Sequence, residues 1–273
     1  MAHFPDTSPE QTLRQTRTRR SFATARAIAA LMLREMSVTY GRSPGGYLWA
    51  VLEPAAGIGL MVLIFSVAFE APPMGSNFAM FYATGLVPFL AYMDLNLKTG
   101  QALNYSRQLL SYPSVTYVDA LLARFTLNLL TQILVGYIIF FGILTLSDTN
   151  TVPDLGRIAI GYLMMASLAI GVGTMNCFLL SVFPVWQAVW SIMNRPLFIV
   201  SCIFFTFESI PEPFQSYLWY NPLVHVVGYI RMGFYSSYDA SYVSLTYVFG
   251  LSLVLAVAGL VFLRRYHRDI LNF

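Results

Sequence analysis

The chain has 273 residues, 57% of them hydrophobic and only 11% charged, with a mean hydropathy of +0.62. A soluble domain carries about a quarter of its residues as charges, which argues against a soluble enzyme with a large core. Net charge is +3, with seven of the 16 basic residues between Arg14 and Arg42 and three more, Arg264, Arg265 and Arg268, near the other end. Cytoplasmic cations that orient a membrane protein explain this placement more simply than nucleic-acid binding.

Residues 1–20 are polar and Arg-rich and read as a disordered cytoplasmic tail. They lack the apolar stretch of a cleavable signal peptide. From residue 21 to 46 the pattern is that of an amphipathic interface helix. Phe22, Ala25, Ala29, Met32, Leu33, Met36 and Tyr40 share a helical stripe, with Arg34 and Thr24 off it. Such a helix lies along a membrane surface, either as an anchor or as a docking surface for a partner. The run YGRSPGGYLWAVLEP, residues 40–54, joins it to the first span. Pro and Gly at 44–46 end the helix, and Tyr47 and Trp49 sit at headgroup level.

The transmembrane part is expected over 47–273. Span one covers 48–69, with Glu53 one turn in; 70–78 is an outside loop; span two covers 80–97 and ends at Lys98, the only lysine. Residues 101–118 form a cytoplasmic loop with a short helix over 101–111. Span three follows Arg124 and reaches 146. Its Asn128, Thr131 and Gln132 lie on one side and read as interhelical hydrogen-bond partners. After an outside turn at 147–156, span four covers 158–183, with small residues at four-residue spacing in the pairs Ser167/Gly171 and Ala169/Gly173. Span five covers 191–207.

Residues 208–243 are too apolar for a loop yet cut by Pro211, Pro213 and Pro222. The pieces 214–220 and 223–234 are too short to span and suit a re-entrant hairpin. Span six covers 244–263. The fold class is therefore all-α integral membrane, with six transmembrane helices and both termini cytoplasmic. In that topology 14 of the 16 basic residues are cytoplasmic, the exceptions being Arg157 and Arg231.

Signs of catalysis are sparse. Glu53, Asp94, Asp119 and Glu208 are scattered at span ends, and His3, His225 and His267 lack metal-ligand spacing. Lys98 follows Leu97 where a phosphate loop needs Gly, so ATP binding by that motif falls to another chain. Cys177 and Cys202 lie in apolar runs and read as packing residues. Span five is more informative. Ser191, Asn194, Phe198, Ser201, Phe205 and Glu208 recur on one helical face, alternating small polar groups with phenyl rings. That face is either a helix-contact stripe or a wall suited to sugars, whose hydroxyls are polar and whose C–H faces are apolar. Arg231 is too costly for lipid. It must snorkel to outer headgroups or meet water, a phosphate or a carboxylate at the exit of a path.

The motif Y-G-R-S-x-x-G-Y-L-W-A-x-L-E-P at 40–54, six spans, and Y-N-P-L-V-H-V-V-x-x-I-R at 220–231 together resemble type-2 ABC-transporter permeases. The likeness is strongest to the inner-membrane permeases of Gram-negative capsular polysaccharide export, with O-antigen and some teichoic-acid exporters as relatives. The resemblance implies a homodimer working with two copies of a cytoplasmic ABC ATPase that carries ATP and Mg, this chain binding no cofactor itself. It also implies a periplasmic adaptor (polysaccharide co-polymerase), an outer-membrane channel, and a polysaccharide substrate that is acidic and lipid-linked. By the same likeness Arg34 on the surface helix and Gln101, Asn104, Arg107, Gln108, Tyr112 and Pro113 on the coupling loop meet the ATPase. The translocation path is expected along Trp49, Glu53, Tyr92, Asn194, Phe198, Ser201, Phe205, Glu208 and Arg231, with the hairpin at 211–238 at its exit. Two other readings remain at this stage: a drug or lipid permease of the same fold, and a membrane enzyme acting on lipid-linked sugars.

Overall fold

The computed structural model describes residues 23–39, 46–110, 115–149 and 151–272. All regular structure among them is helical. The tail at 1–20, residues 40–45 of the junction motif, Tyr112 and Pro113 lie outside the described residues.

Helix α1 (Ala23–Thr39) is followed by α2 (Gly46–Ala68) and α3 (Phe78–Gly100), then a short α4 (Ala102–Ser106) and α5 (Tyr117–Leu146). Next come α6 (Leu155–Val182), α7 (Trp186–Ile199), α8 (Phe214–Leu218), α9 (Pro222–Phe234) and α10 (Leu245–Asn272). Polar side chains set several starts. Asn77 Oδ1 accepts from Met80 N at 3.1 Å and opens α3. Thr116 and Asp119 form a reciprocal capping box on α5, and Asp154 caps α6. Asp119, expected only as a span-end carboxylate, is thereby assigned a structural task.

Among the described residues, five helices are long and apolar enough to cross a membrane: those within α2, α3, α5, α6 and α10. The expected fifth span, 191–207, is not among them. Helix α7 has 14 residues, which is ~21 Å at 1.5 Å per residue, against ~30 Å of hydrocarbon. The chain unwinds after Ile199, and Cys202 takes a left-handed φ of 57°. Side chains from the following segment stabilise the break. Asn221 Nδ2 donates to Val200 O at 2.9 Å. Arg231 donates from one terminal nitrogen to Phe205 O at 2.9 Å and from the other to Ile203 O at 3.0 Å. Carbonyls that a continuing helix would have paired with its own N–H groups are satisfied from outside it.

Helices α3 and α6 form the centre. Small residues let them approach: a Cβ on Gly173 would fall 2.7 Å from Thr99 Cβ. Helix α10 packs on α6 equally closely, since a Cβ on Gly171 would lie 2.5 Å from Ser252 O and one on Gly259 would lie 2.7 Å from Met175 N. The small pairs read from span four therefore serve two neighbours. By contrast, α2, α5 and α10 expose large apolar side chains such as Leu63, Tyr137 and Val254.

The two ends differ. At one, α4, the start of α5, the end of α6 and Leu263 of α10 share an apolar cluster, and α1 lies against α5. At the other, Phe207, Val224, Trp219 and Tyr242 pack together, and Asp154 N donates to Gly233 O at 2.7 Å, tying α6 to the end of α9.

Candidate functional site

A cavity of about 860 Å³ opens between α2, α3, α5 and α7. Its polar lip lies toward the α4 end. Asp94 Oδ2 is 2.9 Å from Lys98 Nζ and accepts from Gln132 Nε2 at 2.8 Å. Glu53, Asn194 and Arg195 border the same space. Its deeper wall is apolar, with Pro54, Val87, Phe89 and Phe198.

From that wall an aromatic ladder continues toward the α9 end. Phe89 and Phe198 rings meet at 5.4 Å, Phe198 and Phe204 at 5.1 Å, Phe204 and Phe65 at 5.8 Å, and Phe65 and Tyr82 at 5.1 Å. Tyr82 then meets Phe78 at 6.4 Å. Phe78 to Phe89 is ~16 Å along α3 at 1.5 Å per residue. Edge-to-face and offset pairs of this kind fix ring positions.

The cavity gathers Trp49, Glu53, Asn194 and Phe198 of the expected path residues. The others are elsewhere. Tyr92 is in the core. Ser201 and Phe205 leave the α7 face because the helix has ended; Ser201 is fully buried and its hydroxyl is bonded to Leu197 O. Glu208 sits in a short 3-10 turn and accepts from Tyr238 OH at 3.1 Å. Arg231 is 1% exposed, with its guanidinium 4.3 Å from the Phe81 ring centre and two carbonyls as acceptors. Neither headgroups nor a carboxylate partner it here; backbone does.

At the α4 end α1 turns an unexpected face inward. Leu33 and Met36 of the apolar stripe are exposed, whereas Glu35 is 6% exposed. Ile28, Leu31, Met32 and Glu35 form the protein-facing side. Glu35 Oε1 lies 3.4 Å from Arg124 Nε, an ion pair without a well-formed hydrogen bond, and accepts from Asn128 Nδ2 at 3.3 Å. Burial raises the Glu35 pKa, while Arg124, Asn128 and Lys98 hold it down. The Arg124 guanidinium lies 4.0 Å from the centre of the Tyr105 ring of α4, and that of Arg34 5.7 Å. Among the expected coupling residues, Gln101 is half-buried at the α3–α4 joint, and Asn104, Arg107 and Gln108 are exposed.

Sequence reasoning missed Glu35, Asp94 and Lys98 as site residues. It noted Asn128 and Gln132, which do bond other helices; Thr131 bonds back to Leu127 O in its own helix. Among the described residues no group of three metal-ligating side chains converges.

Residues 26–235 match the family model for ABC-2 type transporters. The chain belongs to this family. It is 30% identical over 237 residues to the polysialic acid transport protein KpsM of Escherichia coli, covering 87% of this chain and 92% of that one. It is 25% identical over 245 residues to the capsule polysaccharide export inner-membrane protein CtrC of Neisseria meningitidis, with 90% and 92% covered. It is 24% identical over 246 residues to the capsule polysaccharide export inner-membrane protein BexB of Haemophilus influenzae, again with 90% and 92% covered. For an ABC-2 transporter, the cavity and the buried α1–α5 contact are the two features of this chain most open to a functional reading.

Proposed function

We infer that this protein is the inner-membrane permease half of an ATP-driven exporter of an acidic, lipid-linked capsular polysaccharide. The observation that carries this reading is the cavity and its ladder: a polar lip, then phenyl and phenol rings. Sugars present hydroxyls to the first and C–H faces to the second, and rings add stacking area without demanding one sequence of sugars. Relatives named for polysaccharide transport or export support the same cargo.

In this reading two copies of the chain enclose the path, and two copies of a cytoplasmic ABC ATPase, holding ATP and Mg, drive it. A periplasmic adaptor and an outer-membrane channel receive the polymer. The α4 end is cytoplasmic, with both termini, and carries Arg34, Lys98, Arg107, Arg124, Arg264 and Arg265, which agrees with the positive-inside rule. Helix α7 and the unwound residues after it make a sixth, broken crossing, and α8 and α9 dip back into the outer leaflet. Irregular backbone is tolerated at membrane depth only when protein satisfies it, and Asn221 and Arg231 do so here. Helices α1 and α4 receive the ATPase motion.

The test is export by cells carrying Phe198→Ala or Phe65→Ala, together with co-purification of the ATPase. Surface polysaccharide should fall several-fold while the complex still assembles. Normal export in both variants returns the ladder to plain packing.

A further inference from the structure

The cavity and the surface helix are joined by a line of polar side chains. Arg124, Asn128 and Gln132 are spaced four residues apart and share one face of α5. The first two hold Glu35 of α1, and the third holds Asp94 of α3, which in turn holds Lys98 at the cavity lip. Arg124 and Asn128 are buried and Gln132 faces the cavity. The charges of Lys98 and Asp94 are both felt at Glu35, with opposite sign. We propose that Glu35, Arg124, Asn128, Gln132, Asp94 and Lys98 form a polar seam by which an anion in the cavity unseats α1 from α5.

The physical steps are few. An acidic group that enters the lip competes with Asp94 for Lys98. Asp94, still bonded to Gln132, then lacks its cation, and its charge draws more strongly on the buried Arg124 guanidinium. Arg124 has two nitrogens without hydrogen-bond partners and only a loose contact to Glu35, so its attachment is easily redirected. Once Glu35 loses part of its hold, burial of its carboxylate favours release of α1. Linkage requires the reverse as well: lifting α1 must change how strongly the lip holds an anion. The six residues position rather than transport. The identity of the anion rests on the exporter reading, whereas the seam itself does not.

The experiment is hydrogen–deuterium exchange of the α1 amides in the permease–ATPase complex in nanodiscs. Lys98→Gln should raise α1 exchange by about fivefold or more, the lower range of allosteric coupling, and leave α6 unchanged. In an Asn128→Leu background the same change at Lys98 should have little further effect. Unchanged α1 exchange in Lys98→Gln overturns the seam, as does an undiminished effect in the Asn128→Leu background. Polysialic acid and dextran then serve as acidic and neutral probes. Exchange of α1 that rises with polysialic acid alone supports the anion as trigger; an equal rise with dextran overturns it. No response to either polymer, with α1 still loosened by Lys98→Gln, overturns the anion as trigger and leaves the exporter reading to the export assay.

Discussion

The molecule buries two arginines at opposite ends and uses them differently. Arg231 is closed in by its own chain, over Phe81 and against the carbonyls of Ile203 and Phe205. Arg124 lies over Tyr105 and faces a carboxylate on another helix, Glu35. A carbonyl clamp completes a backbone that would otherwise be unsatisfied, so it has one acceptable state. An ion pair between two separately anchored helices has a second state within reach, with each partner exposed or re-paired. The α9 end is thus built to hold a broken helix, and the α4 end to make and release a contact.

The largest expected effect comes from removing the clamp. Arg231→Met leaves two buried carbonyls without donors, at about 1–3 kcal/mol each, and should abolish monodisperse protein in detergent gel filtration. Arg231→Lys supplies a point charge instead of a fork and should recover only part of the yield. A full yield from Arg231→Met would remove the clamp from the account of the fold. Arg124→Met comes next. It strands the Glu35 carboxylate, whose side chain is 7% exposed, at about 3–5 kcal/mol if α1 were forced to stay. Helix α1 can lift instead, so the protein should remain folded while proteolysis within α1 accelerates. Adding Glu35→Leu should restore protection, because an apolar pair often replaces a buried ion pair without loss. Failure of the double variant to recover would mean that Arg124 acts through Tyr105 rather than Glu35.

A smaller effect is expected at Asn221, which caps α9 through Leu223 N at 3.1 Å and also donates to Val200 O. Asn221→Ala should cost about 1–2 kcal/mol, read as a few degrees in thermal unfolding. The smallest is a pH effect at the other end. Burial raises the Glu35 pKa, with Arg124, Asn128, Lys98 and Asp94 as the groups acting on it. A seated Glu35 therefore binds a proton more tightly than a released one. The sign follows: seating is favoured below the ordinary carboxylate range and weakens as pH rises through the seated value. Protease protection of α1 should increase modestly on acidification, and Glu35→Gln should flatten the trend.

Much of the architecture was legible because lipid imposes long apolar runs and because Asn, Asp and Pro mark helix ends in ways that spacing reveals. The long apolar helices and the separate short helices α8 and α9 follow from such marks. The early end of α7 does not. Residues 191–207 are apolar enough to continue, and what stops them is a pair of side chains 20 to 30 positions downstream. The same limit explains the site. Asn194 and Phe198 line the cavity, whereas Ser201 and Phe205 lost their common face with them when the helix ended. Glu35 was hidden for another reason. A lone carboxylate beside an apolar stripe looks like a solvent-facing residue until Arg124, far along the chain, is seen opposite it.

The close approach of α6 and α10 has a consequence for how the protein is made. Helix α10 is synthesised after α6, yet its Ser252 and Gly259 regions meet that central helix almost backbone to backbone. Until then, one side of α6 faces lipid with small residues and little to grip. The nascent chain therefore remains an incomplete bundle until α10 is made, with the Gly171 side of α6 uncovered. Docking of α10 is the step that closes that side of the central helix.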